Sequence, residues 1–294
     1  MKKILMTRRN FIRLILLGIL GVIGTKGFVN SRQLQRVDLT VFLKNLPPAF
    51  EGLKIGQITD IHAGPLVPGS LIREGVDLIM EAKPDLIVLT GDFVSGPTKI
   101  LWTSYGGFSQ KSLDGCMGEL SRLRARMGVF AVLGNHDFWA GPNVVSKVIQ
   151  SLENAGIQVL RNQAIALKAG GEALHLLGVD DYWENSYSLE KAFKDVPPDV
   201  CRIMLSHNPD VNQDIDLQKE HVDLILSGHT HGGQFVLPGL GALYIPSSFG
   251  QKYRIGLVKD GLRQTYVSAG LGLFFVPLRI NCPADVSLIV LRKG

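Results

Sequence analysis

The order of apolar runs along this 294-residue chain predicts an α/β fold: two packed mixed β-sheets flanked by helices. Three observations carry that expectation. In the first half, β-like runs alternate with amphipathic stretches of helical length. Five of the β-runs stop abruptly at Gly, Asp, Asn or His, residues that turn a chain. In the second half, shorter β-runs follow one another between turn residues.

From the N-terminus, Lys2, Lys3, Arg8 and Arg9 form a basic start, followed by an apolar stretch from Leu14 to Ile23. That stretch is shorter than the roughly 20 residues a transmembrane helix needs, and its flanks are those of a signal peptide. Thr7-Arg8-Arg9-Asn10-Phe11-Ile12-Arg13 resembles a twin-arginine export motif. Residues 1–30 are therefore expected to be a twin-arginine-type signal peptide, or an uncut N-terminal membrane anchor, since no A-x-A site follows. The implied location is extracytoplasmic: periplasm, cell envelope or membrane-associated. The implied partner is the twin-arginine export machinery. Residues 31–52 are assigned to a linker, polar over Ser31 to Val37, and a first strand. Residues 53–294 form one domain, large enough to bury an ample core.

Within that domain, β-runs are expected at Lys54–Thr59, Asp85–Thr90, Val129–Leu133, Cys201–Ser206 and Val222–Ser227. Helices are expected at Leu71–Lys83, Ser112–Met127 and Asn143–Asn154. Shorter strands are expected near Leu174–Gly178, Leu243–Ile245, Arg254–Val258, Gln264–Val267 and Val286–Leu291. The chain shows neither low-complexity segments nor a repeat of fixed period.

Charge has to be read by segment. The net charge is +5, but residues 1–36 carry eight Lys or Arg and no acid, leaving 23 basic against 26 acidic residues. A domain of about −3 offers no global basic face, so nucleic acid is not an expected partner. Cys116, Cys201 and Cys282 are scattered and odd in number, with neither metal spacing nor a disulfide framework.

The five main β-runs lead into Asp60-x-His62, Gly91-Asp92, Gly134-Asn135-His136-Asp137, His207 and Gly228-His229-Thr230-His231. These fragments hold five of the seven histidines; His175 and His221 belong to no motif. Taken singly Asp60-x-His62 and Gly91-Asp92 are weak, since Gly-Asp turns are ordinary loop chemistry, whereas Gly134-Asn135-His136-Asp137 is more specific because an ordinary turn does not need Asn, His and Asp in succession. Together, at the carboxyl ends of neighbouring strands, they converge where open α/β sheets place their sites. Carboxylate, imidazole and one amide oxygen without thiolate suit Mn, Fe, Zn or Co, whereas Ca or Mg would be expected to use more oxygen and less histidine. An aspartate can bridge two cations, so two divalent ions roughly 3.5–4 Å apart are expected. Mn is favoured, because a chain exported folded would load its metals in the cytoplasm.

The D-x-H, G-D, G-N-H-D, H, G-H-x-H series resembles the calcineurin-like metallophosphoesterases, from about Leu53 to the C-terminus. Gly228 to Gln234, and the tail from Gly270-Leu271-Gly272 to Pro277-Leu278-Arg279, resemble an exported bacterial branch that includes phosphodiesterases and UDP-diacylglucosamine-type hydrolases. The resemblance implies a four-layer αββα sandwich. It implies one metal held by Asp60, His62, Asp92 and His231, and a second held by Asp92, Asn135, His207 and His229, with Asp92 as the bridge. A hydroxide shared by the two cations would attack phosphorus in line. His136 is expected to protonate the leaving oxygen or contact a phosphoryl oxygen, with Asp137 orienting its imidazole.

Substrate identity is less legible. Arg279, and less strongly Arg254, are candidates to pair with a second phosphate or a lipid headgroup. Two aromatic loops, Trp102 to Phe108 and Asp181-Tyr182-Trp183, could receive an acyl chain, a sugar or a base, or simply pack on the core. The leading expectation is a metal-dependent phosphodiesterase acting on a phospholipid or a UDP-linked acylated sugar. The alternatives are a soluble nucleotide or phosphomonoester hydrolase, and a non-catalytic metal-binding module.

Overall fold

The computed structural model describes residues 25–294 apart from 26, 28, 97, 101–102, 106 and 274–275. The basic start and apolar stretch therefore lie outside the described residues, as do Trp102 and Gly106. No helix among the described residues is long and apolar enough to cross a membrane.

The first sheet contains β1 (Leu34–Leu43), β2 (Lys54–Ile58), β3 (Leu86–Thr90), β6 (Val129–Val132), β7 (Gln158–Val159) and β16 (Ala284–Lys293). Its order is β1-β16-β2-β3-β6-β7, parallel except where β16 meets β2. The second contains β8 (Gln163–Ala169), β9 (Glu172–Gly178), β10 (Arg202–Leu205), β11 (Leu224–Ser227), β14 (Gly256–Asp260) and β15 (Arg263–Val267). Its order is β14-β15-β11-β10-β9-β8, with a parallel centre and antiparallel edges. Short ribbons pair β4 (Thr98–Ile100) with β5 (Thr103–Tyr105), and β12 (Val236–Leu237) with β13 (Gly241–Ala242).

Side-chain alternation makes the layers. In β3, Leu86 and Val88 face the second sheet, while Ile87 and Leu89 face helices. Ile203 and Leu205 of β10 turn toward the first sheet, and Met204 turns away from it. The outer face of sheet one is covered by α1 (Gly69–Glu81), α2 (Gln110–Leu120) and α4 (Pro142–Asn154). The outer face of sheet two is covered by α5 (Leu189–Phe193) and α6 (Val211–Gln218). A further short helix, α3 (Asn135–Trp139), follows β6. The result is the expected four-layer αββα sandwich.

Several expected boundaries move. The strand β1 starts at Leu34, inside the expected linker, because all ten of its residues pair with β16 and its inward positions Val41 and Leu43 are buried. The helix expected to reach Met127 ends at Leu120, where the chain turns so that Leu123 can enter the core. The strand expected at Leu243–Ile245 is absent, and Leu243 and Tyr244 are exposed. The strand expected from Arg254 starts at Gly256, after a 3₁₀ turn over Gly250–Tyr253. The β8 strand has no counterpart among the expected elements. Its outward face is largely solvated, so its sequence lacks a strong apolar alternation.

Candidate metal centre

The strand ends meet along one seam between the sheets. Main-chain hydrogen bonds fasten neighbouring loops there: Asp60 N–H donates to the Gly91 carbonyl at 3.0 Å, His62 N–H to that of Asp92 at 2.9 Å, and Gly228 N–H to that of His207 at 3.0 Å. Across the seam, the His229 N–H lies 3.0 Å from a carboxylate oxygen of Asp60. The approach is close enough to demand glycine at Gly91 (φ +94°), where a Cβ would sit 2.6 Å from Gly134 N and 2.8 Å from His207 Nδ1. Asp60, His62, Asp92, His229 and His231 all have φ between 48° and 70°. Non-glycine residues rarely accept that conformation, and it concentrates at functional sites.

These turns bring the candidate ligands together. His62 Nε2 lies 3.0 Å from His231 Nε2 and 3.3 Å from Asp92 Oδ2. His231 Nε2 lies 3.3 Å from Asp60 Oδ1. On the other side, His207 Nε2 is 3.2 Å from both Asp92 Oδ2 and His229 Nδ1. Ligating atoms of Asp60, His62 and His231, and separately of Asp60, Asp92 and His207, lie within 4.8 Å of one another. Asp92 thus touches both halves. Asn135, which opens α3, buries its Oδ1 without a hydrogen-bond partner among the described residues. An amide oxygen so placed fits a cation, because leaving it unpaired costs about 1–3 kcal/mol.

Electrostatics agree with that fit. Burial would raise Asp92, but the surrounding His207, His136 and His62 hold its carboxyl well below the usual range. Burial pushes His62 down to about 3 and His229 and His231 well below their ordinary value, so these imidazoles stay neutral, as ligands must be. His207 is the exception. Burial would lower it, but the Asp92 carboxylate holds it well above 6.5. Burial raises Asp60 to about 7, a proton that a bound cation would displace. His207 is oriented by its Nδ1, 2.7 Å from the Thr90 carbonyl, which leaves Nε2 for the cluster. The residues present therefore fit two metal positions.

The other expected residues divide. His136 is buried beside the cluster, its ring 4.7 Å from that of His62 and edge-on to it. Its main-chain N–H donates to Asp92 Oδ1 at 2.8 Å, and burial lowers its pKa. The expectation that Asp137 orients this imidazole is corrected. The Asp137 carboxylate accepts N–H bonds of 2.9–3.1 Å from Asp92, Phe93, Val94 and Gly134, so it shapes the Gly-Asp loop. Arg279 as a substrate contact is corrected as well. It is fully buried, and its guanidinium donates to the carbonyls of Ala269, Gly270 and Gly272 at 2.7–3.0 Å and of His231 at 3.4 Å. Arg254 is half-buried and donates to the Gly232 carbonyl at 2.9 Å, bracing the loop that carries His231.

Trp139 escapes the sequence reading, and the segment Asp181-Tyr182-Trp183 reads there only as an aromatic loop. Trp139 and Trp183 are each 44% exposed, stack at 6.0 Å with planes 9° apart, and flank the centre. Trp139 packs 5.0 Å from the His136 ring, and Trp183 meets that of His229 edge-on at 4.4 Å. Behind them Asp181 is fully buried, and burial raises its carboxyl to about 7. A signal for it existed, since Val179-Asp180-Asp181 ends a β-run as Asp60 and Asp92 do, but it lacks a companion histidine.

Comparison with known proteins identifies the family. Residues 53–233 match the family described as calcineurin-like phosphoesterase. The chain is 34% identical over 259 residues to phosphodiesterase YaeI of Escherichia coli (strain K12), spanning 88% of each protein. It is 29% identical over 275 residues to the uncharacterized metallophosphoesterase YkuE of Bacillus subtilis (strain 168), spanning 93% of this chain and 91% of that one. Among solved structures, TT1561 of Thermus thermophilus superposes with a TM-score of 0.45 at 13% identity, covering 75% of this chain and 90% of that one. With the family matched across more than half its length, this chain belongs to the calcineurin-like metallophosphoesterases.

Proposed function

We propose that this protein is a metal-dependent phosphodiesterase. The observation that carries the reading is the seam itself: Asp60, His62, Asp92, His207, His229 and His231 converge from both sheets, beside an Asn135 oxygen that no described group satisfies. Asp60, His62, Asp92 and His231 would hold one divalent ion, and Asp92, Asn135, His207 and His229 the other. Two such ions supply Lewis-acid polarisation of a phosphoryl oxygen and a nucleophile at neutral pH. Mn is the proposed occupant of both positions.

The chain's own residues have separable tasks. His136, a buried imidazole between His62 and Trp139, is proposed to donate a hydrogen bond to a phosphoryl or leaving oxygen. The stacked Trp139 and Trp183 give the rim an apolar, planar surface, which suits an ester whose alcohol carries a sugar, a base or an acyl-bearing group. Both arginines expected to meet a second phosphate instead donate to main-chain carbonyls, so the described rim favours a singly charged diester over a dianionic monoester. The name of the relative YaeI points the same way. Export by the twin-arginine route, with an extracytoplasmic or membrane-associated location, is proposed on Thr7–Arg13 and the apolar stretch behind it.

The test is hydrolysis of a chromogenic phosphodiester against its monoester by the Mn-loaded protein. A diester preference of tenfold or more in kcat/KM is expected. Monoester preference would replace the proposal with a phosphatase, and absence of turnover with two ions bound would point to a binding module.

A further inference from the structure

The strands β9, β10 and β11 run parallel and side by side, with Gly178 opposite Leu205 and Leu205 opposite Leu226. Pairing continues one step past each strand: Val179 N–H donates to the Leu205 carbonyl, and Ser206 N–H to that of Leu226, both at 3.2 Å. Three consecutive strand ends thus deliver Asp181, His207 and His229 to the same edge. Two of these are candidate ligands of one metal position. The third has not been assigned.

Asp181 is 0% exposed. Its Oδ1 accepts the Trp183 N–H at 3.0 Å, while its Oδ2 is buried with no hydrogen-bond partner among the described residues. A buried carboxylate oxygen without a donor is costly, and native structures retain one mainly where something binds. Of the neighbouring charges His207 acts on it most strongly, with Asp92 next. The ring of Trp183, two residues on, lies 4.4 Å from that of His229, closing the other side. One carboxylate oxygen is already engaged by the Trp183 N–H, which leaves Asp181 a supporting part beside the seven candidate ligands rather than a place among them.

We propose that Asp181 is a positioning residue of the His207–His229 metal position, where its free Oδ2 accepts a hydrogen bond from a water or hydroxyl seated beside those two imidazoles. This rests on the two-metal reading above. Groups that steady the surroundings of a metal in this manner typically change its affinity by roughly 10–100-fold when removed. No bond is made or broken by Asp181, and its action is to fix the orientation of a donor.

The experiment is calorimetric titration of Mn²⁺ into the full-length chain after chelation, for the wild type, Asp181→Asn and Asp181→Ala, with thermal melting alongside. Asp181→Asn keeps an oxygen for the Trp183 N–H, so it can be compared with the wild type at matched fold, while Asp181→Ala removes that acceptor as well. The expected result is one ion bound as in the wild type and the other weakened by roughly 10–100-fold in both variants. Two affinities within twofold of the wild type in Asp181→Asn and Asp181→Ala would overturn the assignment. So would loss of both ions together with a lowered melting midpoint in Asp181→Asn, which would mark a structural carboxylate. A wild-type chain that takes up fewer than two ions would instead overturn the two-metal reading itself.

Discussion

At the scale of single residues, Asp92 and His136 are the pair whose roles can be separated. Asp92 Oδ2 stands 3.3 Å from His62 Nε2 and 3.2 Å from His207 Nε2, so it belongs to both halves of the centre. His136 touches the centre through its main chain, and its ring nitrogen lies within 4.8 Å of ligating atoms of His62 and Asp92, although neither proposed metal position includes it. Asp92→Ala is therefore expected to lower metal content and abolish turnover together. His136→Ala should retain both ions while turnover falls by roughly 10²–10⁴, the usual contribution of a placed proton donor. Metal analysis of the two purified variants beside their rates checks this, and equal metal loss in both would remove the distinction. Every candidate ligand was legible in the sequence because the chemistry demands rare residue types at strand ends. The role of Asp137 was not legible, because four main-chain N–H groups from distant segments reach it only in the folded loop.

At the scale of elements, the centre depends on loops that are themselves braced from behind. Arg279 ties the loop Ala269–Gly272 to the His231 loop through their carbonyls, a job that needs a planar fork in a buried place. Each hydrogen bond to such a charged donor is worth roughly 1.5–3 kcal/mol, and lysine cannot reproduce the fork. Arg279→Lys is accordingly expected to lower the melting midpoint by about 6–12 °C, with about 3 kcal/mol lost at 2–4 °C per kcal/mol. A substrate contact would behave differently, raising KM at an unchanged midpoint, so melting and kinetics on one preparation decide between the two. The same burial explains the misreading, since a sequence does not say whether an arginine near a site faces inward. Central strands were legible to within two residues because burial on both faces leaves near-continuous apolar runs. Edge strands such as β8 carry a weaker pattern and went unread.

For the whole molecule, the centre is also a joint between layers. The first sheet's strand ends supply Asp60, His62, Asp92 and Asn135, and the second sheet's supply His207, His229 and His231. The sheets are otherwise joined by an apolar layer of residues such as Ile55, Leu86, Val88, Ile203, Leu205 and Leu226, all fully buried. That layer needs no metal, so a chelated chain should keep its secondary structure. The seam is another matter, with two carboxylates and several imidazoles crowded into left-handed turns that cations would hold in place. An ion at 100 times its dissociation constant contributes about 2.7 kcal/mol to the folded state. Two ions then correspond to a midpoint shift of roughly 10–20 °C at 2–4 °C per kcal/mol. Thermal melts in excess Mn²⁺ and in excess chelator, followed by far-ultraviolet circular dichroism, measure both quantities. Equal midpoints would mean that the sheets are held by their apolar layer alone and that no cation spans the seam. A lower midpoint in chelator with an unchanged folded spectrum is the result expected of metals bound among the seven candidate ligands, as a cross-link between two sheets that each fold without them.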